Sequence, residues 1–383
     1  MAKRENVLQR VQRTCEEALE AAAAAGDVTL QESALAGAAA SLPAPADILQ
    51  ACQFMRLPIR FDSLQAEVNA MALFHLLEFG SGFDSMLLAK TGKDARETVQ
   101  FGLLGMLMHG APLESHHWMA DFNSYQVFQF FNVDASEDEA VPGLPGVVMT
   151  RQGPLGAFTG KLREVVSETG KILGDSGHAS LGALVLANLD AQAAAGQPPS
   201  AAALIEELAE TFPAFADSGL YKGKQVHFCR KAQLLAAQLH LRFRGSDARF
   251  RFADMGQLSV DSGNVLPAVF RRQGLLQLSE SLAAAVDGGQ DLQGDERERA
   301  LRGAAVVAGR RLSEAYAAAA APGGGAAGTK GGSSDAAASI QPWQLSMYLL
   351  HQEEQQQRRR QEGETAGAAE GPKRHVAKGT AAY

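Results

Sequence analysis

The stretch FADMGQLSVDSGNVLPAVF, residues 252–270, sets two carboxylates, Asp254 and Asp261, in otherwise apolar surroundings. A carboxylate held in such a place can stabilise a developing cation, attack it, or carry a proton. Gly263 and Asn264 would break any long helix, so a Ser-Gly-Asn turn separates a strand-like QLSV from a helix-like VLPAVF. The turn is either an ordinary loop or a device that holds a polar residue at the wall of a pocket. In the first case Asp261 faces solvent or caps a helix, with Ser262 or Asn264 capping the next one. In the second, Gly263 permits the unusual backbone angles that would bend the turn back and aim Asp261 at reacting atoms.

Other chemistry-bearing residues offer less. TGKDA at Thr91 lacks the earlier glycine of a phosphate loop, and GGGAAGTKGG at Gly323 reads Gly-Thr-Lys where Gly-Lys-Ser/Thr is needed; neither follows a strand. His109, His116 and His117 lack the i, i+4 spacing of a helical metal pair and read as a surface turn plus one packed histidine. Cys15, Cys52 and Cys229 are far apart, so no metal site and no disulfide framework is expected, and a reducing compartment suits them. His240, Arg242 and Arg244 lie near a helix end, where cations complement the dipole. Arg358–Arg360 and GPKRH at 371–375 read as a solvated basic tail, with a nucleic-acid or partner contact as the alternative.

The elements that must position these residues are mostly helical. Val7, Val11 and Cys15 recur at i+4 in a helix over 5–25, and Thr29 with Glu32 forms a capping-box pattern for a short helix after it. Leu64, Val68, Met71, Ala72 and His75 share a face of a helix that stops at FGSGF, residues 79–83. Asp94 and Glu97 cap another, with Phe101, Leu104, Leu107 and Met108 as its apolar side. Residues 121–133 are aromatic-rich and fit either a buried helix or a strand, whereas DASEDEAVPGLPG reads as an acidic surface loop. Helices follow at 156–173, 182–195, 201–211, 231–243, 266–272, 279–286 and 296–316, and YKGKQVHF, with Gly223 at its bend, is the best hairpin signal.

Length and composition fit that count. The 383 residues are 46% hydrophobic, enough for a sizeable core, and the net charge of -8 argues against a general nucleic-acid binder. The opening MAKRENVLQRVQRTCEEALE has no apolar core of a secretory signal, and no run of about 18 apolar residues suggests a membrane span. A cytoplasmic location is expected.

Several stretches line up in order: ETGKIL (168–173), ETFPAFAD (210–217), LYKGKQVHFCRKAQLLAAQL (220–239), NVLPAVFRRQGLLQLS (264–279) and LQGDERERALRGAA (292–305). Together with LEFGSGF upstream, this series resembles the queuosine salvage protein family over roughly residues 63–316, and more loosely over IQPWQLSMYLLH. The resemblance implies a mainly α fold similar to the helical DNA glycosylases, with at most a small β-hairpin. It also implies a pocket that takes queuosine 5'-phosphate, hydrolyses its N-glycosidic bond and releases queuine for tRNA modification, with no metal or organic cofactor, no direct nucleic-acid partner and no membrane. It places Asp261 as the catalytic carboxylate and Gly263, Ser346, Met347 and His351 at substrate-contact positions, His351 also as a proton donor. Lys224 and Lys231 are phosphate partners by charge alone. The sequence departs from the family pattern where Gly263, Ser346 and Gln238 stand at places that usually hold aspartate, so a member that binds a nucleotide, base or protein without turnover is the alternative. The expected layout is N-terminal helices over 1–60, a helical core over 61–320, a flexible linker over 321–339, a packing helix over 340–360 and a disordered tail over 361–383.

Overall fold

Local signals start and stop most helices where the sequence places them. Asn6 opens α1 (Val7–Ala25) with a capping box closed by Gln9, and Gly26 ends it in the left-handed conformation, φ 75°. The computed structural model describes residues 5–144, 146–320, 340–361 and 373–383. After α1 come β1 (Val28–Leu30), α2 (Leu35–Ala40), α3 (Pro45–Ala51), α4 (Leu64–Leu77), α5 (Asp84–Thr91), α6 (Ala95–Met108), α7 (His116–Ala120) and α8 (Ser124–Phe131). Two strands, β2 (Ser136–Ala140) and β3 (Val148–Gln152), precede α9 (Gly156–Asp175), α10 (Leu181–Ala194) and α11 (Ala201–Thr211). Then follow β4 (Ser218–Tyr221), β5 (Lys224–His227), α12 (Arg230–Phe243), α13 (Val265–Arg272), β6 (Leu276–Leu278), α14 (Glu280–Asp287), α15 (Arg297–Ala320) and α16 (Pro342–Gln361).

The fold is mainly α. Its described strands form three antiparallel pairs: β2 with β3, β4 with β5, and β1 with the distant β6. α4 is buried on all sides from Val68 to Leu77, as a helix that is apolar all round must be, and α6, α9, α10 and α12 pack around it. α1 lies along α15, which buries Ala300–Ala308 almost without a break. α16 rests on α3, α13 and α15. Among the described residues no helix is long and apolar enough to cross a membrane.

Several expectations are corrected. Thr29 does not cap a helix; it sits in β1, paired with Gln277. The acidic 134–146 stretch holds a strand, because Thr150 Oγ1 donates to Asp138 and backbone pairing with 148–152 replaces the missing hydrophobic pattern. α6 buries Val99, Gly102, Leu103 and Met106 and leaves Phe101 and Met108 exposed, so its inner face is the one rotated away from the larger side chains. Residues 121–133 resolve as a helix because Asn123 and Gln126 form a capping box. The linker assigned to 321–339 lies outside the described residues, as does 362–372. Residues 373–383 are not a solvated tail: Val376 pairs with Asp291 in a parallel bridge, and His375, Ala377, Ala382 and Tyr383 are buried. Their apolar and aromatic members fill the space beside α15, which offsets the entropy of ordering the segment.

Candidate active site

The two carboxylates of 252–270 have different fates. Asp254 is structural: it accepts from Ser200 Oγ (2.7 Å), Ala201 N (2.7 Å) and Ala202 N (3.0 Å), satisfying the N-terminus of α11. Asp261 is buried, 8% exposed, and lies on the wall of a cavity of about 30 Å³ together with Arg230, Gln238, Trp343, Ser346 and Met347.

Local chemistry explains how this wall is built. Cys229 takes a left-handed backbone, φ 49°, and turns the chain from the β4–β5 hairpin into α12. Arg230 thereby becomes the first residue of a helix whose positions 230, 234 and 238 fall on one face, four apart. The opposite wall is extended chain, Leu258–Asp261, pinned to α12 where Ser259 N donates to Gln233 Oε1 (2.8 Å). α16 supplies the third side, and Asp261 N donates to Ser346 Oγ (2.8 Å).

Arg230 grips the Asp261 carboxylate with a fork. Nε donates to Oδ1 (2.5 Å) and Nη2 to Oδ2 (2.9 Å), while Nη1 donates to the Glu78 carbonyl (3.2 Å). Gly263 N also donates to Oδ1 (2.7 Å), so among the described residues Oδ2 has a single protein partner. Gly263 serves this geometry through space and not through backbone angle. It is not among the residues of positive φ, which corrects the expectation of an unusual turn, but a Cβ there would come within 3.0 Å of Asp261 Oδ1 and 3.1 Å of Arg230 Nε.

Behind Arg230 the end of α4 contributes charge and the FGSGF loop a tight approach. Glu78 accepts from His75 Nδ1 (2.8 Å) and pairs with Arg96; burial alone would raise its carboxyl, but Arg96 and His75 hold it well below the usual range. Gly80, φ 97°, lies against the Phe158 ring, where no side chain fits. Lys231, next to Arg230, points elsewhere. It is fully buried, donates to the Leu76 carbonyl (2.8 Å) and is drawn down to about 7 by desolvation.

A second buried arginine holds the turn from the far side. Arg302 of α15 donates to the Ser262 carbonyl through Nε (2.5 Å) and pairs with Asp217 and, at 3.5 Å, with Glu298. Tyr383 closes this cluster: its hydroxyl donates to Glu298 (2.9 Å), and its ring centre lies 4.9 Å from the Arg302 guanidinium.

Of the residues expected at the site, Asp261, Ser346 and Met347 come together on the cavity, and Gly263 backs them. His351 does not join: one turn further along α16 it is exposed and hydrogen-bonded to Gln355 (2.8 Å). Lys224 is exposed on β5. His116 and His117 lie against each other with ring centres 3.9 Å apart and planes tilted by 39°, and among the described residues no group of three or more His, Cys, Asp or Glu could hold a metal ion. Sequence reasoning missed Arg230, Gln233 and Trp343. The available signal was Arg230 and Lys231 just ahead of Leu234, Leu235, Ala236 and Ala237, since charges on a buried face need partners.

The family model described as "Queuosine salvage protein" matches residues 107–367, which take in α12, the 261–264 turn and α16. The chain belongs to the queuosine salvage protein family. A protein of Sphaerobacter thermophilus named queuosine 5'-phosphate N-glycosylase/hydrolase is 33% identical over 129 residues, 33% of this chain and 39% of that protein. A Mus musculus protein of the same name is 25% identical over 201 residues, 52% of each chain. The chain thus spans about half the length, or less, of these curated relatives. Within the queuosine salvage frame, the carboxylate-bearing turn, Gln238 and Ser346 all fall inside the matched stretch.

Proposed function

We propose that this queuosine salvage family member hydrolyses the N-glycosidic bond of queuosine 5'-phosphate in the cytoplasm, giving queuine and ribose 5-phosphate. Residues 61–320 would form its core, closed by the helix over 340–360. The observation that carries the reading is the buried Asp261 carboxylate at a cavity wall shared with Ser346 and Met347. Breaking the C1'–N bond places positive charge on the ribose. Water then adds at C1' and its proton leaves with the departing base. Asp261 Oδ2, with one protein partner, keeps an acceptor direction for that charge, while Oδ1 is held by Arg230 and Gly263 N. Trp343 and Met347 give the cavity apolar walls, and the Gln238 amide offers a donor and an acceptor suited to a purine edge.

The bidentate hold of Arg230 on Asp261 favours a second reading, a member that binds the nucleotide without turnover, because the guanidinium offsets the charge a ribosyl cation would need. Incubation of the purified chain with queuosine 5'-phosphate and mass spectrometry of released queuine separates the two. Release that falls about 100-fold or more in Asp261→Asn is the expected result, the scale seen when a charge-stabilising group is lost. Binding without release supports the second reading, and release undiminished by Asp261→Asn removes Asp261 from the mechanism.

A further inference from the structure

The cavity beside Asp261, about 30 Å³, has room for little more than water, whereas sites for small ligands run to about 300–1,000 Å³. A second cavity of about 300 Å³ lies next to it, under residues 53–61, lined by Phe54, Arg56, Phe61, Glu67 and Arg242 among others. The partition between them is slight. Gln238 lines the inner cavity, and its Oε1 accepts from the backbone N–H of Met55 (2.7 Å), which lines the outer one. α12 runs past both: Arg230, Leu234, Gln238 and Arg242 recur every fourth residue, a single stripe about 18 Å long at 1.5 Å per residue.

Charge is distributed unevenly along that stripe. At the inner end Arg230 is matched by Asp261. At the outer end Arg242 shares Glu67, through Nε (2.6 Å) and Nη2 (3.1 Å), and stacks on Phe54 with its guanidinium 5.3 Å from the ring centre. Arg56 lies over the other side of this mouth, 5.1 Å from the same ring, exposed and without an ion pair among the described residues. Residues 53–61, QFMRLPIRF, carry two arginines and no acid, in a chain of net charge -8. Two guanidiniums over one aromatic ring, with one carboxylate that pairs with Arg242 alone, leave donors for an anion that can accept forked bonds.

We infer that the two cavities form one cleft once the Met55–Gln238 contact opens, and that Arg56 and Arg242 receive the phosphate monoester of the substrate at its outer end. This rests on the reading that the chain takes a purine ribotide, and adds where its anionic end sits. The base then takes the inner, apolar end near Trp343, where no unmatched cation is present among the lining residues.

Calorimetric titration of the full chain with queuosine 5'-phosphate and, separately, with queuosine tests the assignment. The expected result is binding of the phosphate about tenfold or more tighter than of the nucleoside, one charge-assisted contact being worth about that factor. Arg56→Gln and Arg242→Gln should each remove most of that ratio while leaving nucleoside affinity unchanged. Arg56 is exposed, so its variant keeps the fold even if Arg242→Gln loosens α12 against Glu67. Equal affinities for the two ligands, a ratio that survives both substitutions, or binding of neither ligand overturns the site. Queuine release measured on the same samples keeps the readings apart. A normal ratio with no release sinks hydrolysis alone, and release with a flat ratio sinks the phosphate site alone.

Discussion

Two buried arginines hold the 261–264 turn from opposite sides, and they differ in what stands behind them. Arg302 is enclosed by Asp217, Glu298, Phe228 and Tyr383 and lines neither of the two cavities described above. Arg230 has its carboxylate partner on one side and a cavity on the other. Arg302 faces two carboxylates and Arg230 one, yet both arginines and their partners are buried, so burial of charge alone does not mark a functional site. Space next to the charge does. The Arg302 cluster reads as a clamp that fixes the backbone at Ser262, and the Arg230 pair as the part that substrate can reach.

The largest test of this contrast is stability. Arg302→Met should cost about 3–5 kcal/mol in chemical denaturation, since it strands two carboxylates in a sealed site. Arg230→Met should cost clearly less, because water from the cavity can reach Asp261; equal losses would break the comparison. His375, packed against Tyr383, gives the next effect. Burial, then Arg302 and Arg271, draw its imidazole down to about 3, so the unfolded chain binds a proton first as pH falls below about 6.5. Stability is therefore lost on acidification, and wild type should fall behind His375→Phe by about 2 kcal/mol between pH 6.5 and pH 5. Coincident pH profiles for the two proteins would show that the 373–383 segment is open to solvent. Tyr383→Phe, which removes the donor to Glu298, should lower stability by about 1.5 kcal/mol with nucleotide affinity untouched. The smallest change is Ser346→Ala. Loss of the acceptor for Asp261 N should cost about 1 kcal/mol and slow queuine release several-fold, with the effect on the two quantities separating a positioning role from a purely structural one.

How far the sequence could be read follows from the range of each signal. Asp94 with Glu97, and Gly223 at its hairpin, act within four residues and were legible. β1 and β6 pair across some 250 positions, as Val28 with Leu278, and neither is long enough to show alternation. Asp261 stood out by its charge in an apolar stretch, yet its partner lies 31 residues upstream in a helix. The same charge-in-apolar logic, applied to Arg302 within ALRGAAVVAG, points to a second buried cation that composition alone hides. His351 was misplaced because a match of spacing along α16 says nothing about where the cavity ends. A histidine one turn beyond the cavity is already in solvent.

The seal over Arg302 also bears on how the molecule is made. Tyr383 follows Arg302 by 81 positions (383 − 302), so a ribosome must deliver α15 and α16 long before the last wall of that chamber exists. Until then a charged groove stays open along a helix rich in alanine and valine, the kind of surface a chaperone would grip. The finished fold should come apart there first: 373–383 can peel away without unwinding a helix, and amides around Leu292 and Gly80, which donate to Val376 and Tyr383, should exchange with solvent before those of α4.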